Sequence, residues 1–288
     1  MYKKKVLVTG TNGYISNNFY NKNKDIFEID LISVRSKQWK EMDFSLYDSL
    51  IHLSAIVHRS KGISKEEYEK TNVSLTRDLA LKAKDSGVKQ FIFMSTMAVY
   101  GEEGKLDQDV VIDHTTLPVP KTDYGISKLK AENLLRSISE DCFKVAIVRP
   151  PMIYGKACPG NYKALKELVM KTPVFPKMND NKRSMLHVVN LCEFLKLLVL
   201  SGESGLYLPQ DEQLMSTTNL VKQIAGTLPK QIYFSRTLAF PLKVLSHLNI
   251  PQINKVFGNL YYKPYESNYF GGKYRVLKYP QNISESIN

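Results

Sequence analysis

Apolar and polar positions alternate in blocks over the first half of the chain. KKVLVTG predicts a buried strand, and the segments IFEIDLISVR, SLIHLSAIV, KQFIFMST and FKVAIVRP each predict a further strand. Residues 64–86 have apolar positions at helical spacing and stop at Gly87, and YGISKLKAENLLRSIS predicts a further helix. Strands that alternate with helices indicate an α/β fold, in which helices cover both faces of a parallel sheet.

The pattern changes after Pro151. NYKALKELVMK and VVNLCEFLKLLVL predict helices, whereas the other residues form turns and isolated apolar clusters. We expect a doubly wound domain over residues 1–155, onto which residues 183–200 pack back, and a smaller substrate lobe over residues 156–288. The apolar and basic stretch TLAFPLKVLSHLNI is expected to be a helix packed in that lobe; a dimer contact or a membrane-surface role is the alternative.

Composition indicates an ordinary globular protein. Of 288 residues 43% are hydrophobic, and no segment approaches the roughly 18 unbroken apolar residues of a membrane span. The residues before the first predicted strand are few and polar, so we expect no signal peptide. The three cysteines lack paired spacing. The expectation is a reduced, cytoplasmic protein without a metal site.

The formal net charge of +12 is compatible with nucleic acid, an anionic membrane face or a phosphorylated substrate as partner. Lysine and arginine are spread along the whole chain, without a long basic run or a basic–aromatic repeat. This distribution argues against nucleic-acid binding. A diphosphate-bearing substrate would suit a basic cleft, and a merely solvated basic surface is the alternative.

The segment LVTGTNGYIS places Gly10 and Gly13 between the first strand and a helix start, where backbone N–H groups can meet a pyrophosphate. Ser16 stands where a third glycine would complete the pattern; it is small, so we expect some loss of packing and an intact phosphate site. The second strand is followed by Arg35, which favours NADP(H) because a guanidinium accommodates a 2′-phosphate. Asp30 in that strand keeps NAD(H) open as the alternative.

A tyrosine and a lysine, Tyr124 and Lys128, lie one helical turn apart on one predicted helix face. An ammonium group there can lower the pKa of a phenol, which then exchanges a proton with a carbinol or carbonyl oxygen. Ser95 and Thr96 follow the preceding strand and supply a third hydroxyl. The buried strand position of His52 indicates a core histidine rather than a catalytic one.

The segments TGTNGYIS, HLSA, STMAVYG, YGISK, RPPMIYG and KRSMLHVVN, in this order, resemble the extended short-chain dehydrogenase/reductase family, which contains nucleotide-sugar epimerases, dehydratases and reductases. The resemblance implies a Rossmann-like fold and assigns catalysis to Thr96, Tyr124 and Lys128. It also implies that Asn72 steadies the catalytic strand. Together with the loop and Arg35, it defines a cofactor-binding set consisting of Gly10, Asn12, Gly13, Tyr14, Ile15, Arg35, Asp43, Phe44, Leu53, Ser54, Ala55, Tyr124, Lys128, Pro150 and Ile153.

The substrate implied by the resemblance is a UDP-sugar. Arg183 would clamp its diphosphate, and Asn161 would contact it. His58, at the carboxyl edge of the sheet, is a further candidate for the sugar, which Thr96 and Tyr124 would also contact.

The reaction is narrowed by one departure from the family pattern. Dehydratases of the family carry an Asp–Glu pair after the catalytic threonine, whereas this chain has Met97 and Ala98, which cannot move protons. Similarity to capsule-pathway enzymes implies NADPH-dependent reduction of the C4 keto group of a UDP-4-keto-6-deoxy-HexNAc for a bacterial surface polysaccharide. An NAD-dependent UDP-hexose or UDP-HexNAc 4-epimerase is the alternative, and a non-catalytic NADP-sensing protein the second. A homodimer is the family habit.

Overall fold

The computed structural model describes residues 3–57, 62–178, 180–226, 231–244, 251–279 and 281. The chain forms two compact units. The first consists of Met1–Gly101, Leu117–Pro150 and Cys192–Tyr207, and the second of Glu102–Thr116, Pro151–Leu191 and Leu208–Asn288. Each unit therefore takes residues from more than one part of the chain.

The strands, in chain order, are β1 (Lys5–Thr9), β2 (Glu28–Ile32), β3 (Ser49–His52), β4 (Gln90–Met94), β5 (Val110–Ile112), β6 (Lys144–Val148), β7 (Met152–Tyr154), β8 (Val174–Pro176), β9 (Met185–His187), β10 (Gly205–Tyr207), β11 (Tyr233–Ser235) and β12 (Leu260–Tyr262). The helices are α1 (Tyr14–Asn23), α2 (Lys65–Tyr68), α3 (Leu75–Asp85), α4 (Asp123–Ile138), α5 (Asn161–Lys171), α6 (Val188–Ser201), α7 (Thr217–Gly226), α8 (Ala239–Val244) and α9 (Pro251–Phe257). Among the described residues, no helix combines the length and the hydropathy needed to cross a bilayer.

The first unit contains a parallel sheet in the order β2–β1–β3–β4–β6–β10. Five of its strands coincide with the five predicted apolar runs, and the α/β fold is confirmed. The sixth strand, β10, was not predicted from the sequence, since its three residues form no apolar run. β1 lies between β2 and β3, so the chain reverses its direction of progress across the sheet there. In open α/β sheets the carboxyl ends of two such strands border the ligand crevice.

The predicted helix over residues 64–86 forms, with one difference. Ser64 and Glu67 make reciprocal hydrogen bonds that cap its start. Its middle, Glu69–Ser74, is a π-helix between α2 and α3, and such widened turns are frequent at functional sites. Asn72 lies in this turn and is buried.

The core of the first unit lies between the sheet and its helices. Leu7, Leu50 and Phe91 are fully buried strand residues that pack with Leu79 of α3 and Leu135 of α4. The connection from β2 to β3 adds large side chains to the same cluster, among them Trp39, Phe44 and Tyr47. Burial on this scale is what holds the strand ends, and the loops that follow them, in fixed positions.

The described residues of the second unit form three two-stranded parallel sheets, β5–β12, β7–β9 and β8–β11. Helices α5 and α7 pack against each other, and α5 and α6 are the two helices that the sequence predicts after Pro151. The final part of the predicted segment TLAFPLKVLSHLNI, residues 245–250, lies outside the described residues; its first half contains α8. Helix α6 passes from one unit to the other, and its last turns bond to the sheet unit through Gln90 Nε2, which donates to the Leu198 carbonyl at 3.0 Å.

Candidate active site

The loop after β1 has the geometry of a phosphate-binding turn. Gly10 has φ of +103°, a left-handed conformation that favours glycine, and its N–H donates to the carbonyl of Ile32 in β2 at 2.7 Å. Gly13 is the residue before α1, so the first turn of this ten-residue helix begins directly behind the loop. The first N–H groups of an α-helix have no acceptor inside it and form a ready anion site.

Ser16, which stands in place of a third glycine, forms hydrogen bonds within the loop. Its side chain is fully buried, and its hydroxyl donates to the carbonyl of Gly13 at 3.0 Å and also reaches that of Gly10. A Cβ on Gly13 would lie 2.7 Å from this hydroxyl, so a side chain at this position would force Ser16 to shift. The serine therefore cross-links the turn, where the sequence suggested only poorer packing.

A hydrogen-bond chain connects this loop to the one after β3. The N–H groups of Leu53 and Ser54 both donate to Thr9 Oγ1 at 3.0 Å, so the Thr9 hydroxyl proton is available to His52 Nδ1, 2.9 Å away. His52 Nε2 then donates to Thr76 Oγ1 at 3.0 Å. This pattern requires the neutral Nε2–H tautomer, and burial lowers the pKa of His52 to about 3. His52 is thus the core histidine that the sequence predicts.

Asn72 fixes the loop after β3 on the other side. Its Oδ1 accepts from the Ile56 N–H at 2.9 Å, and its Nδ2 donates to the Ile56 carbonyl and to Ser127 Oγ, each at 3.0 Å. The Ser127 hydroxyl in turn donates to the carbonyl of Tyr124 at 2.8 Å. The π-helical turn thereby couples the loop Leu53–Ala55 to the first turn of α4.

Arg35 lies three residues beyond β2 and is exposed. The other candidate at this strand, Asp30, is engaged elsewhere: it accepts from the Tyr47 hydroxyl at 2.8 Å and lies 3.7 Å from Lys5 Nζ. Its place in the middle of β2 also keeps it away from the carboxyl edge of the sheet. Of the two, Arg35 is therefore the residue that lies beyond the carboxyl end of β2.

Two further predicted cofactor residues follow in the same connection. Asp43 is exposed, and its carboxylate accepts from the N–H of Ser45 at 2.9 Å and from its hydroxyl at 2.7 Å, contacts that lower the pKa of Asp43. The ring of Phe44 is fully buried in the core, with Lys82 Nζ 4.9 Å from its centroid. Phe44 can therefore meet a cofactor through its backbone and not through its ring.

Tyr124 and Thr96 meet beside the end of β4. Tyr124 is the second residue of α4, whose start is capped by Thr122 Oγ1 accepting from the Gly125 N–H at 3.1 Å. Thr96 precedes the 3₁₀-helix Met97–Tyr100, against which α4 packs. Burial raises the pKa of Tyr124 to about 12, and the hydrogen bond donated by the Thr96 hydroxyl opposes that rise. The phenol is therefore protonated at neutral pH.

Lys128 follows Tyr124 by one helical turn and is buried. Its Nζ donates to the Met94 carbonyl at 2.8 Å and lies 4.5 Å from the centroid of the Phe93 ring. Burial lowers the pKa of Lys128 to about 7, against the opposing effect of the Glu132 carboxylate. The amine is held at the end of β4, the edge at which the hydroxyl of Thr96 also lies.

A buried ion pair between Glu132 and Arg149 was not predicted from the sequence. Glu132 lies one turn beyond Lys128, and its carboxylate accepts from Arg149 Nε at 2.9 Å, from Arg149 Nη2 at 2.5 Å and from Ser95 Oγ at 2.5 Å. Arg149 Nη1 also donates to the Tyr100 hydroxyl at 2.8 Å. This network commits Ser95 to Glu132, so of the two hydroxyls that the sequence offers, Thr96 is the one bonded to Tyr124. The spacing of 124, 128 and 132, one helical face, was the available signal.

Four further residues of the predicted site belong to other parts of the chain. Pro150 is buried, and its carbonyl accepts from the Met97 N–H at 2.9 Å, which ties the end of β6 to the 3₁₀-helix beside Thr96. Ile153 lies in β7 of the second unit, paired with Leu186 of β9. Asn161 begins α5, and the structure describes its backbone only. His58 lies outside the described residues.

Arg183 is held by backbone carbonyls in the second unit. Its Nη1 donates to Gly258 at 2.7 Å and to Asn254 at 3.4 Å, and its own backbone forms a two-way bridge with Met215. Burial lowers the pKa of Arg183 to about 10, and no carboxylate of the described residues offsets this effect. A half-buried guanidinium bonded to neutral carbonyls retains its charge for an external anion.

The site can therefore move a proton and bind phosphates. A protonated phenol, a hydroxyl bonded to it and a buried amine lie together at the carboxyl edge of the sheet, next to a glycine turn and a helix N-terminus. This set suits acid–base catalysis at a carbinol or carbonyl carbon beside a dinucleotide.

The sequence and the fold of the chain are similar to those of known proteins. The model of the NAD dependent epimerase/dehydratase family matches residues 5–206. A UDP-glucose 4-epimerase from Vibrio cholerae is 27% identical over 288 aligned residues, which cover 90% of this chain and 83% of the relative. An N-acetyl-α-D-glucosaminyl-diphospho-ditrans,octacis-undecaprenol 4-epimerase from Escherichia coli O157:H7 is 30% identical over 234 residues, 79% of this chain and 69% of the relative.

A solved structure confirms the fold. MoeE5 in complex with UDP-glucose and NAD superimposes with a TM-score of 0.71 and 19% sequence identity, over 98% of this chain and 97% of that chain. Solved structures of similar fold include complexes with NAD and complexes with NADP.

Proposed function

The chain belongs to the NAD-dependent epimerase/dehydratase family, and we propose that it uses NADPH to reduce the C4 keto group of a UDP-4-keto-6-deoxy-HexNAc. The observation that carries this proposal is the identity of the side chain exposed at the end of β2. Arg35 lies there exposed, while the carboxylate of Asp30 is bonded to Tyr47. An acidic side chain at this place would bond the free ribose hydroxyls of NAD, and an arginine favours the 2′-phosphate of NADP.

The residues of the glycine turn fit such a cofactor. A pyrophosphate would meet the N–H groups behind Gly13, where a side chain would force Ser16 to shift, and Leu53–Ala55 would lie across the crevice between β1 and β3. When bound, NADPH supplies the hydride that reduces C4. Lys128, with its amine at the end of β4, would hold the nicotinamide ribose.

Tyr124 completes the reduction. Tyr124 would donate its phenolic proton to the C4 oxygen, so that the reduced carbonyl becomes a hydroxyl group. Thr96 hydrogen-bonds to the same oxygen and orients the carbonyl. The raised pKa of Tyr124, about 12, favours the protonated phenol. Reduction starts from this form, whereas oxidation of a C4 hydroxyl, the first half of an epimerisation, starts from the phenolate.

Arg183 would recognise the diphosphate of the substrate. A bidentate, charge-assisted contact suits a phosphate group, and the guanidinium has neutral carbonyls as its described partners. Dehydration is disfavoured because Met97 and Ala98, directly after Thr96, cannot move a proton.

To test this function, the absorbance of the nicotinamide is followed while the purified protein is incubated with NADPH and a UDP-4-keto-6-deoxy-HexNAc. We expect stoichiometric loss of NADPH and a 4-hydroxy product. Arg35→Ser should raise KM for NADPH and leave KM for NADH unchanged, whereas Lys22→Ser, which removes an exposed charge on α1, should change neither. Unchanged NADPH use in Arg35→Ser would contradict the cofactor assignment.

A 4-epimerase is the second candidate, and the two curated relatives favour it because both are 4-epimerases. An epimerase uses the same hydroxyl, phenol and amine for both halves of its reaction, so these residues suit either activity. If NADPH stays unoxidised while UDP-GlcNAc or UDP-glucose equilibrates with its C4 epimer, the epimerase is correct and the reductase is wrong.

A further inference from the structure

Residues 231–244 of the second unit, hereafter the apolar segment, expose three large side chains within eight residues. Tyr233 of β11 is 69% exposed, Leu238 46% and Phe240 of α8 70%. Single exposed apolar residues are normal on a protein surface, but a cluster of this kind marks an interaction site.

The backbone of this segment is held to the rest of the unit. The Tyr233 N–H donates to the Pro173 carbonyl at 3.0 Å, and the Lys177 N–H donates to the Ser235 carbonyl at 2.9 Å. Phe234 packs on Phe175 with ring centroids 6.3 Å apart, and Ala239 is buried. One set of side chains therefore anchors the segment, while Tyr233, Leu238 and Phe240 point away from that packing.

The surrounding chain is basic without interruption. From Gln213 to Tyr265 the sequence contains no aspartate or glutamate, and its charged side chains are Lys222, Lys230, Arg236, Lys243, Lys255 and Lys263. Arg236 is exposed between Tyr233 and Leu238, and Lys222 Nζ lies 5.7 Å from the centroid of the Phe234 ring. Arg236 thus places a positive charge among the exposed apolar side chains, in a stretch of sequence that has no acidic residue.

We propose that the apolar segment docks the second unit on an anionic membrane surface. Aromatic and aliphatic side chains enter the boundary between headgroups and acyl chains, while lysine and arginine meet the lipid phosphates; surfaces of this composition bind membranes in that way. Each basic residue near such a surface adds attraction within about one Debye length. An acidic protein would satisfy the charge of Arg236 but not the three exposed apolar side chains. The proposal goes beyond the reductase activity and does not rest on it.

The test is co-sedimentation of the full chain with vesicles of phosphatidylcholine alone and of phosphatidylcholine with phosphatidylglycerol, at low and high salt. We expect binding to the anionic vesicles that weakens as salt rises. Phe240→Ser should lower the partition coefficient by about tenfold or more, since burial of an aromatic side chain is lost, and Arg236→Glu should lower it as well. The control is Leu117→Ser, which removes an apolar side chain that is 79% exposed in the first unit and should leave binding unchanged.

Three results would overturn the proposal. The first is absence of binding to anionic vesicles at low salt. The second is equal binding by wild type and Phe240→Ser, while circular dichroism shows both folded. The third is a dimer in sedimentation velocity that Phe240→Ser dissociates, because the apolar segment would then be covered by a second copy of the chain.

Discussion

Replacement of Lys128 by methionine should make the protein more stable at neutral pH while it removes catalysis. Burial lowers the pKa of Lys128 from 10.5 to about 7, so below pH 7 the folded state carries a poorly solvated charge. Each pH unit of this difference is worth about 1.4 kcal/mol, which makes the penalty about 5 kcal/mol. Methionine has a similar volume and loses the hydrogen bond to the Met94 carbonyl, worth about 1 kcal/mol.

The pH dependence gives this prediction its sign. At and below pH 7 the folded and unfolded states both hold the proton, and the full penalty acts on the wild type. Between pH 7 and 10.5 the folded state releases the proton and the unfolded state retains it, so the penalty declines as pH rises. Above pH 10.5 it is gone. The gain of Lys128→Met should therefore be about 3 to 4 kcal/mol near pH 6.5 and fall to zero or below near pH 10.

Urea unfolding of wild type and Lys128→Met at a series of pH values measures this difference. Lys130→Met is the matched control, since Lys130 lies on the same helix with its charge exposed and paired to Glu69 at 2.8 Å, a contact worth at most about 1 kcal/mol. Its effect should be small and nearly independent of pH. A gain for Lys128→Met that stays constant from pH 6.5 to 10 would show that the amine is not desolvated and would refute the reasoning.

Three further changes have defined outcomes. Tyr124→Phe should lower kcat by about 10² to 10⁴, because the proton donor is lost, without loss of folding by circular dichroism; activity within a few-fold of wild type would exclude the assigned role. Glu132→Gln should cost about 3 to 5 kcal/mol in urea unfolding, because it leaves the buried Arg149 without its counter-charge; a loss below about 1 kcal/mol would contradict the buried pair. Gly13→Ala should weaken NADPH binding in a fluorescence titration, because its Cβ would lie 2.7 Å from Ser16 Oγ, and the double change with Ser16→Gly should restore most of it; no restoration would point to another cause.

The inner part of the parallel sheet could be predicted because its strands β1, β3, β4 and β6 are mostly buried and therefore read as continuous apolar runs. β4, for example, is QFIFM with every residue buried. β10 was not predicted because it is an edge strand of only three residues. It is stabilised by its pairing with β6, and these two strands are distant in sequence. The π-helical turn at Glu69–Ser74 could not be predicted either, because the apolar residues in and around it still follow helical spacing.

The tyrosine and lysine of the site could be predicted because one helical turn fixes their relation. The interactions that set their chemistry depend on other elements. Whether Ser95 or Thr96 faces Tyr124 is decided by the Glu132 carboxylate, which takes the Ser95 hydroxyl. The tautomer of His52 follows from a threonine on each side, contributed by β1 and α3, and its neutral state follows from burial, which lowers its pKa. Spacing along one helix carries no information about such contacts.

The most direct test of the reductase uses NADPH labelled with deuterium at the transferable position of the nicotinamide. The protein is incubated with this cofactor and a UDP-4-keto-6-deoxy-HexNAc, and the product is analysed by mass spectrometry and NMR. The proposed activity predicts one deuterium per product molecule, located at C4, and its absence from the product of Tyr124→Phe. A product with hydrogen at C4, or C4 epimerisation of a UDP-sugar without uptake of the label, would contradict the account and identify an epimerase.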